Sequence, residues 1–180
     1  INRFIVEILA VYLSLTFLCF FCYYIFGMNA FDSLIHCMTT ISTGGYSNHD
    51  LSFGYFNSYS LENVSVVFMI LGSLPFVIYI QFIHGKKTSI FKDDQIKLFL
   101  FLLLLINFFT IIWIKNYLNT DWYESIRLTV FNITSILTGT GYTSSNYNNW
   151  GGFGLIILLI VMFIGGCAGS TTGGIKIFRL

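Results

Sequence analysis

Charge is what this chain has least of. Nine Lys and Arg and eight Asp and Glu make only 9% of its 180 residues charged, where a soluble domain carries about a quarter. That scarcity excludes an ordinary soluble domain and leaves no basic surface for nucleic acid, so no nucleic-acid partner is expected. Proline is nearly missing as well. The single one, Pro75, predicts one kink in an otherwise helical chain. Residues 27–63 hold no Lys or Arg at all, only Asp32, Asp50 and Glu62, which excludes that stretch from the cytoplasmic side by the positive-inside rule. Within the apolar runs the only acid is Glu7. A polytopic membrane enzyme or assembly factor with re-entrant loops, the alternative from another class, would want an intramembrane acid or histidine; no catalytic residue is assigned.

What fills the chain instead is oil: 56% hydrophobic residues and a mean hydropathy of +0.77. Four apolar runs, residues 4–26, 64–83, 96–114 and 153–164, approach the roughly 20 residues that a spanning helix needs. They are greasy on every side, unlike an amphipathic soluble helix. The first is too long for a signal peptide and lacks a small-residue cleavage pattern. Lys86, Lys87, Lys92 and Lys97 crowd the link between the second and third runs, Arg3 lies at one end, and Lys176 and Arg179 at the other. Termini and link are therefore expected in the cytoplasm, with Lys115 and Arg127 as minor exceptions opposite. Cys19 and Cys22 have CxxC spacing but no His or carboxylate partner nearby, and read as small apolar helix residues.

Two segments read almost alike: Ile41-Ser42-Thr43-Gly44-Gly45-Tyr46-Ser47 and Leu137-Thr138-Gly139-Thr140-Gly141-Tyr142-Thr143. Their second glycines lie 96 residues apart. Each follows a segment too short to span, residues 30–41 and 122–137, with Asp32 or Asp121 near its start, where an acid suits a helix N-terminus. The chain therefore reads as two repeats. In residues 1–83 the outer helix leads to pore helix 30–41, filter 42–47 and inner helix 61–83. Residues 84–95 form a basic cytoplasmic linker. Residues 96–180 hold an outer helix, pore helix 122–137, filter 138–143, inner helix 151–164 and a broken segment 165–174. The fold class is thus an all-α polytopic membrane protein with two helix–pore-loop–helix repeats of a potassium-channel-like fold.

The chemistry follows from the turns. A dehydrated cation needs its water shell replaced, and extended backbone carbonyls do this; glycine permits the dihedrals that aim them. Thr43, Gly44, Gly45, Gly139, Thr140 and Gly141 are the expected ion-binding residues, with Thr43 and Thr140 able to add hydroxyl oxygens. Tyr46, Ser47, Tyr142 and Thr143 are expected supports. The short helices aim their negative C-terminal ends at the ion. Asp50 and Asp32 are candidates for drawing cations to the outer mouth, although Asp32 also reads as a helix cap and His49 with Asp50 as loop hydrogen bonding. The run Gly165-Gly166-Cys167-Ala168-Gly169-Ser170-Thr171-Thr172-Gly173-Gly174 is a poor helix, and irregular backbone at membrane depth survives only when buried in protein or lining a cavity. It is not a phosphate loop, since Ile175 separates Gly174 from Lys176 and no strand precedes it. A constriction below the filter is expected there, with Lys176 either interacting with it or, as the preferred reading, anchoring the helix at the cytoplasmic interface by snorkelling.

These residues resemble a known family. Residues 31–33 with Ser42–Asp50 are similar to the second pore loop of TrkH-type potassium uptake proteins, and Thr138–Thr143 with Trp150 to the third. Residues 164–176 are similar to their broken inner helix, the most specific match; residues 72–76 agree too. The resemblance to the Trk/Ktr/HKT superfamily implies four repeats around one pore, each giving one filter glycine, here Gly45 and Gly141 as the potassium sites. It implies a gate loop at residues 165–174, multi-pass placement in the cell inner membrane, potassium as the transported ion and no cofactor in this chain. As partners it implies membrane lipid, further repeats of the same polypeptide, and a homodimer on a cytoplasmic nucleotide-binding TrkA-type ring. Two repeats cannot close a pore alone, so the chain reads as part of a longer protein. A sodium-permeable or sodium-coupled relative is the alternative within transport; glycine at both filter positions favours potassium. Each turn lacks the longer Thr-Val-Gly-Tyr-Gly of other potassium channels, which predicts looser rejection of sodium.

Overall fold

The computed structural model describes residues 2–85 and 93–179, so Lys86, Lys87 and Lys92 of the basic link lie outside the described residues. Helix α1 spans Asn2–Ile25, α2 Ala30–Ile41, α3 Tyr59–Ser73, α4 Phe76–Ile83, α5 Asp94–Leu118, α6 Trp122–Leu137 and α7 Gly151–Phe163. Two of these are long and apolar enough to cross a membrane, Arg3–Ile25 and Asp94–Leu118; α3 and α4 together would make a third. The outward face of α1 carries Ile5, Leu9, Leu13 and Phe17, all exposed, as suits a surface solvated by lipid. Its Ser and Thr hydroxyls are satisfied within the helix: Ser14 donates to the Ala10 carbonyl and Thr16 to that of Tyr12.

Helices α2, α3 and α5 begin where side chains supply the missing partners, whereas Asp121 at the start of α6 makes no side-chain cap. Asn29 caps α2, its Oδ1 accepting from the Asp32 N–H at 2.7 Å while its Nδ2 donates to the Asp32 carboxylate at 2.9 Å. Ser58 caps α3 and Asp93 caps α5. At about 1.5 Å per residue, the 12 residues of α2 reach only about 18 Å, well short of the hydrocarbon thickness. A half-helix must then turn back, and it does so through the glycine turn.

One expected element differs. The sequence predicts a single kinked inner helix over residues 61–83; the chain instead forms two helices, α3 and α4, bent by 89°. Pro75 cannot donate a backbone bond and forces its predecessor into extended backbone; Leu74 sits there, at ψ 154°. The break survives because the freed carbonyls find other partners. Leu71 O accepts from the Tyr79 hydroxyl, while Gly72 O and Ser73 O accept from the glycine-rich run near the end of the chain.

The two repeats share a core rather than merely touching. Tyr23, Ile41, Phe53, Phe68 and Met69 of the first pack with Phe131 and Tyr142 of the second. A second cluster brings Phe99, Leu137, Cys167 and Ile177 together below it.

Candidate functional site

The two glycine turns are built by one hydrogen-bond plan. At the end of α2, Ser42 N–H donates to Met38 O and Thr43 N–H to Thr40 O; 96 residues on, Thr138 N–H donates to Thr134 O and Gly139 N–H to Ile136 O. Gly45 N–H reaches Thr39 O at 3.2 Å, and Gly141 N–H reaches Ser135 O at 3.1 Å. The outgoing strand is held the same way: Thr39 Oγ1 donates to Tyr46 O, and Ser135 Oγ to Tyr142 O. Left-handed backbone alternates along both turns, with φ +52° at Thr43 and +63° at Gly45, against +73° at Gly139 and +86° at Gly141. Among the described residues, no N–H or O–H donates to the carbonyls of Thr43, Gly44, Gly45, Gly139, Thr140 or Gly141. Only buried backbone oxygens must find a partner; Gly44, Gly139 and Gly141 are exposed, so what marks these six is that they fall in two matched turns and stay open to an ion or to water.

The turns also touch. A Cβ on Gly45 would lie 1.8 Å from the Thr140 carbonyl oxygen, on a backbone already left-handed, so only glycine fits. A Cβ on Gly141 would meet nothing within 4 Å. The threonine hydroxyls do not repeat the backbone match. Thr43 Oγ1 turns to Ser42 O and Thr171 O, and Thr140 Oγ1 pairs with Thr138 Oγ1 at 2.8 Å; both are engaged within the protein rather than free to line a path.

The supports are unequal too. Tyr142 is fully buried; its hydroxyl donates to His36 O at 3.1 Å and sits among the hydroxyls of Thr39 and Thr40, tying the second turn to the first half-helix. Tyr46, expected in the same role, is 76% exposed; among the described residues no helix covers it as α2 covers Tyr142. Thr143 O accepts from Gly54 N–H, and Thr143 N–H donates to Ser52 Oγ, so the second turn is also stitched to the short 3-10 helix Ser52–Phe56 of the first repeat. Ser47 Oγ meets His36 Nε2 at 3.1 Å.

Asp32 is not at an open mouth. It is 3% exposed and takes hydrogen bonds from Asn29, from Asn48 at 2.6 Å and from His49 Nε2 at 3.1 Å. Burial opposes its charge, but the bonds from Asn48 and His49 and the nearby imidazoles outweigh it and hold the carboxyl below the usual carboxylate range. Its negative charge is spent organising the loop. Asp50 stays exposed.

Beneath both turns lies the glycine-rich run. Helix α7 ends at Phe163, and the chain doubles back so that Gly165 N–H donates to Ile175 O and Ile175 N–H to Phe163 O. Gly165 has no room for a side chain, its Cβ position being 2.1 Å from Gly173 O. The run then mends the Pro75 break. Cys167 N–H donates to Ser73 O, Thr171 N–H to Gly72 O, and Phe76 N–H to Gly169 O. Thr171 Oγ1 reaches Ile41 O at 2.9 Å, the last carbonyl of α2, while Thr171 O receives Thr43 Oγ1. Ala168 N–H finds Gln95 Oε1, and the Ser170 hydroxyl Cys167 O; Gly166 N–H finds Thr172 Oγ1. Gly173 lies under Gly139, its nitrogen 3.5 Å from where a Cβ would be. Gly174 is left-handed at φ +72°. Lys176 does not snorkel away: its Nζ donates to Thr172 O and, at 3.0 Å, to Thr172 Oγ1, so the charge clasps the run.

One pair is absent from the sequence expectations. Arg127 of α6 grips Glu62 of α3 with two bonds, Nε to Oε2 at 2.7 Å and Nη2 to Oε1 at 2.8 Å, and lies 3.8 Å from the centre of the Tyr59 ring. The Glu62 side chain is 4% exposed. A fork-to-fork pair this buried clamps one repeat to the other. The signal available was two opposite charges in a chain with hardly any, but 65 residues apart.

Spanning helices, two half-helices ending in matched glycine turns, and inner helices broken beneath them define a pore-loop membrane protein. The whole chain, residues 1–180, matches the family model TrkH, cation transport protein, and it belongs to that family, one of transporters rather than enzymes. It is 40% identical over 172 residues to the Trk system potassium uptake protein TrkI of Halomonas elongata, covering 95% of this chain and 35% of that protein. It is 36% identical to TrkH of Vibrio parahaemolyticus, over 94% and 36% of the two. The crystal structure of the potassium transporter TrkH from Vibrio parahaemolyticus superposes with a TM-score of 0.90 at 34% identity, over 94% of this chain and 37% of that one. The chain thus spans about a third of the length of the curated relatives it matches.

Proposed function

We propose that this chain supplies two quarters of the selectivity filter of a potassium uptake protein in the cell inner membrane. The observation that carries the reading is the set of six carbonyls in residues 43–45 and 139–141 that receive no donor among the described residues, on two turns built alike and in contact at Gly45 and Thr140. Oxygens held in that state suit a dehydrated monovalent cation. The C-terminal ends of α2 and α6 add negative potential at the same place. Gly45 and Gly141 are the ion-facing glycines of this proposal, with Thr43, Gly44, Gly139 and Thr140 beside them.

Residues 165–174 act in this reading as a gate. They touch the underside of the filter through Thr171, which bonds Thr43 and Ile41 O at the end of α2, and are bonded across the Pro75 break, so displacing them would be felt at the first turn. The termini and the basic link face the cytoplasm, further pore loops of the same polypeptide complete the ring, and the assembly is a dimer on a cytoplasmic TrkA-type nucleotide-binding ring.

The test is rescue. The complete polypeptide that carries this chain is expressed in cells lacking potassium uptake and grown at low external potassium. Growth and rubidium influx are expected, and both should be lost in Gly45→Ser. Rescue by sodium-dependent influx with no potassium preference would instead identify a sodium-permeable relative.

A further inference from the structure

The half-helix α2 holds one titratable group that the filter plan does not use. His36 is fully buried, one turn before the Thr39 carbonyl that receives both Gly44 and Gly45 N–H. Its Nδ1 lies 2.8 Å from Asp32 O. A carbonyl only accepts, so Nδ1 carries the hydrogen, and the neutral ring offers Nε2 as an acceptor. Ser47 Oγ, 3.1 Å away, therefore donates to it while itself accepting from His49 N–H at 3.1 Å. Ser47 is the second residue after Gly45. The imidazole is thus a strut between the half-helix and the outgoing end of the turn.

The second repeat shows what this position is for. Asn132 stands 96 residues on. Its Nδ2 donates to Leu128 O at 2.7 Å, as His36 Nδ1 does to Asp32 O, and its Oδ1 accepts from Ser144 N–H at 3.1 Å. The same strut is made from an amide, which cannot titrate. Two quarters of one filter are braced at equivalent positions, one by a group that responds to acid and one by a group that does not.

We propose that His36 is a proton-sensitive positioning residue: neutral, it accepts from Ser47 and so holds the first glycine turn, and a proton added at Nε2 from the outer side reverses that bond, places a cation behind the filter and slows potassium uptake. The proton takes the lone pair that the Ser47 hydroxyl uses; Nε2–H then donates to Ser47 Oγ, which already accepts from His49 N–H, so the hydroxyl hydrogen must turn elsewhere and a cation is placed behind the filter. The partly exposed Ser47 is the route of entry. The ionisable groups facing the ring are Asp32 on its own helix, His49 in the loop, its ring 6.4 Å away, and Tyr142 of the second turn at 5.8 Å. Phe53 and Phe56 of the 3-10 helix, packed edge-on, offer none. The Asp32 carboxylate is committed to Asn29, Asn48 and His49. Burial, the largest influence, lowers the proton affinity of His36 below the ordinary imidazole value of 6.5, against Asp32. A depressed value means the neutral strut stabilises the turn above the ordinary pKa, and that contribution is lost as pH falls below it.

The proposal rests on the filter reading above, and the experiment separates the two. Rubidium influx through the complete polypeptide is measured at about pH 5 and about pH 7.5, each variant referred to its own value at the higher pH. Wild type should fall about fivefold in acid, and His36→Asn, copying the second repeat, should flatten that fall to less than about twofold. His36→Gln, which reaches as far as the imidazole, serves as a second flat variant where His36→Asn does not reach the membrane. His49→Asn should keep the acid fall. A flat wild-type profile, an undiminished fall in both His36 variants, or a fall abolished by His49→Asn overturns the proposal while leaving the filter assignment intact. No influx at any pH overturns both.

Discussion

The two glycine turns have the same backbone and different surroundings. Thr43 and Gly139 occupy one left-handed position, Gly45 and Gly141 the next, and the hydrogen bonds that shape them match at a fixed spacing of 96 residues. Yet Gly45 is pressed against Thr140 while Gly141 faces open space, and Tyr142 is buried while Tyr46 is exposed. The comparison separates what a turn does for itself from what its neighbour does for it. The local bonds set φ; the adjacent quarter sets whether a glycine is forced and whether a tyrosine has anything to hold.

The hardest blow to that comparison is Gly45→Ala. Its Cβ would overlap a backbone oxygen that has no soft side chain to yield, so rubidium influx through the complete polypeptide should be abolished. Gly141→Ala faces only its positive φ, a cost of about 1–2 kcal/mol, and should retain measurable influx; an equal loss at both would place a further loop against Gly141 as Thr140 stands against Gly45.

Next comes the clamp between the repeats. Arg127→Ala strands a buried Glu62 and should destabilise the protein by about 3 kcal/mol, read as a lowered melting temperature. Removing both charges should recover part of it, and additive losses in the double variant would refute the pairing.

Tyr142→Phe removes the hydroxyl that joins the second turn to α2, at about 1–2 kcal/mol, whereas Tyr46→Phe should stay within about 0.5 kcal/mol. Comparable effects at the two tyrosines would mean that Tyr46 finds a partner of its own in the complete protein. The smallest change is expected from Thr43→Gly, which gives the first turn the residue of the second. Relief of left-handed strain, about 1 kcal/mol, opposes loss of the Thr171 contact, about 1 kcal/mol. Thermal stability should scarcely move, and a large loss would show that the Thr43 hydroxyl anchors the glycine-rich run.

Much of this is legible in the residues. The apolar runs, the short segments before each turn and the glycine-tyrosine pairs are local patterns, and the dihedrals they demand are local too. The Pro75 kink is legible as a weakness but not as an 89° break, since the size of a bend depends on whether the freed carbonyls find donors. Lys176 takes the less favoured of its two expected readings for the same reason: snorkelling is the default of a lysine near an interface, and here Thr172 offers two oxygens first. Asp32 looks like an entrance charge in the sequence because its partners, Asn48 and His49, come from a loop whose path no periodicity reveals. His36 and Asn132 can be paired from the repeat spacing alone, but nothing in two unlike side chains announces a common strut.

By itself, then, the sequence determined a membrane chain of two repeats, each with a half-helix running into a glycine turn, because oiliness, helix length and left-handed backbone are properties of neighbouring residues. The tertiary structure alone decided how the two turns meet, that Arg127 locks onto Glu62, and that residues 165–174 mend the break at Pro75. Those partners stand 65 to 99 residues apart, and a buried carbonyl or charge takes whichever donor the folded chain brings within about 3 Å.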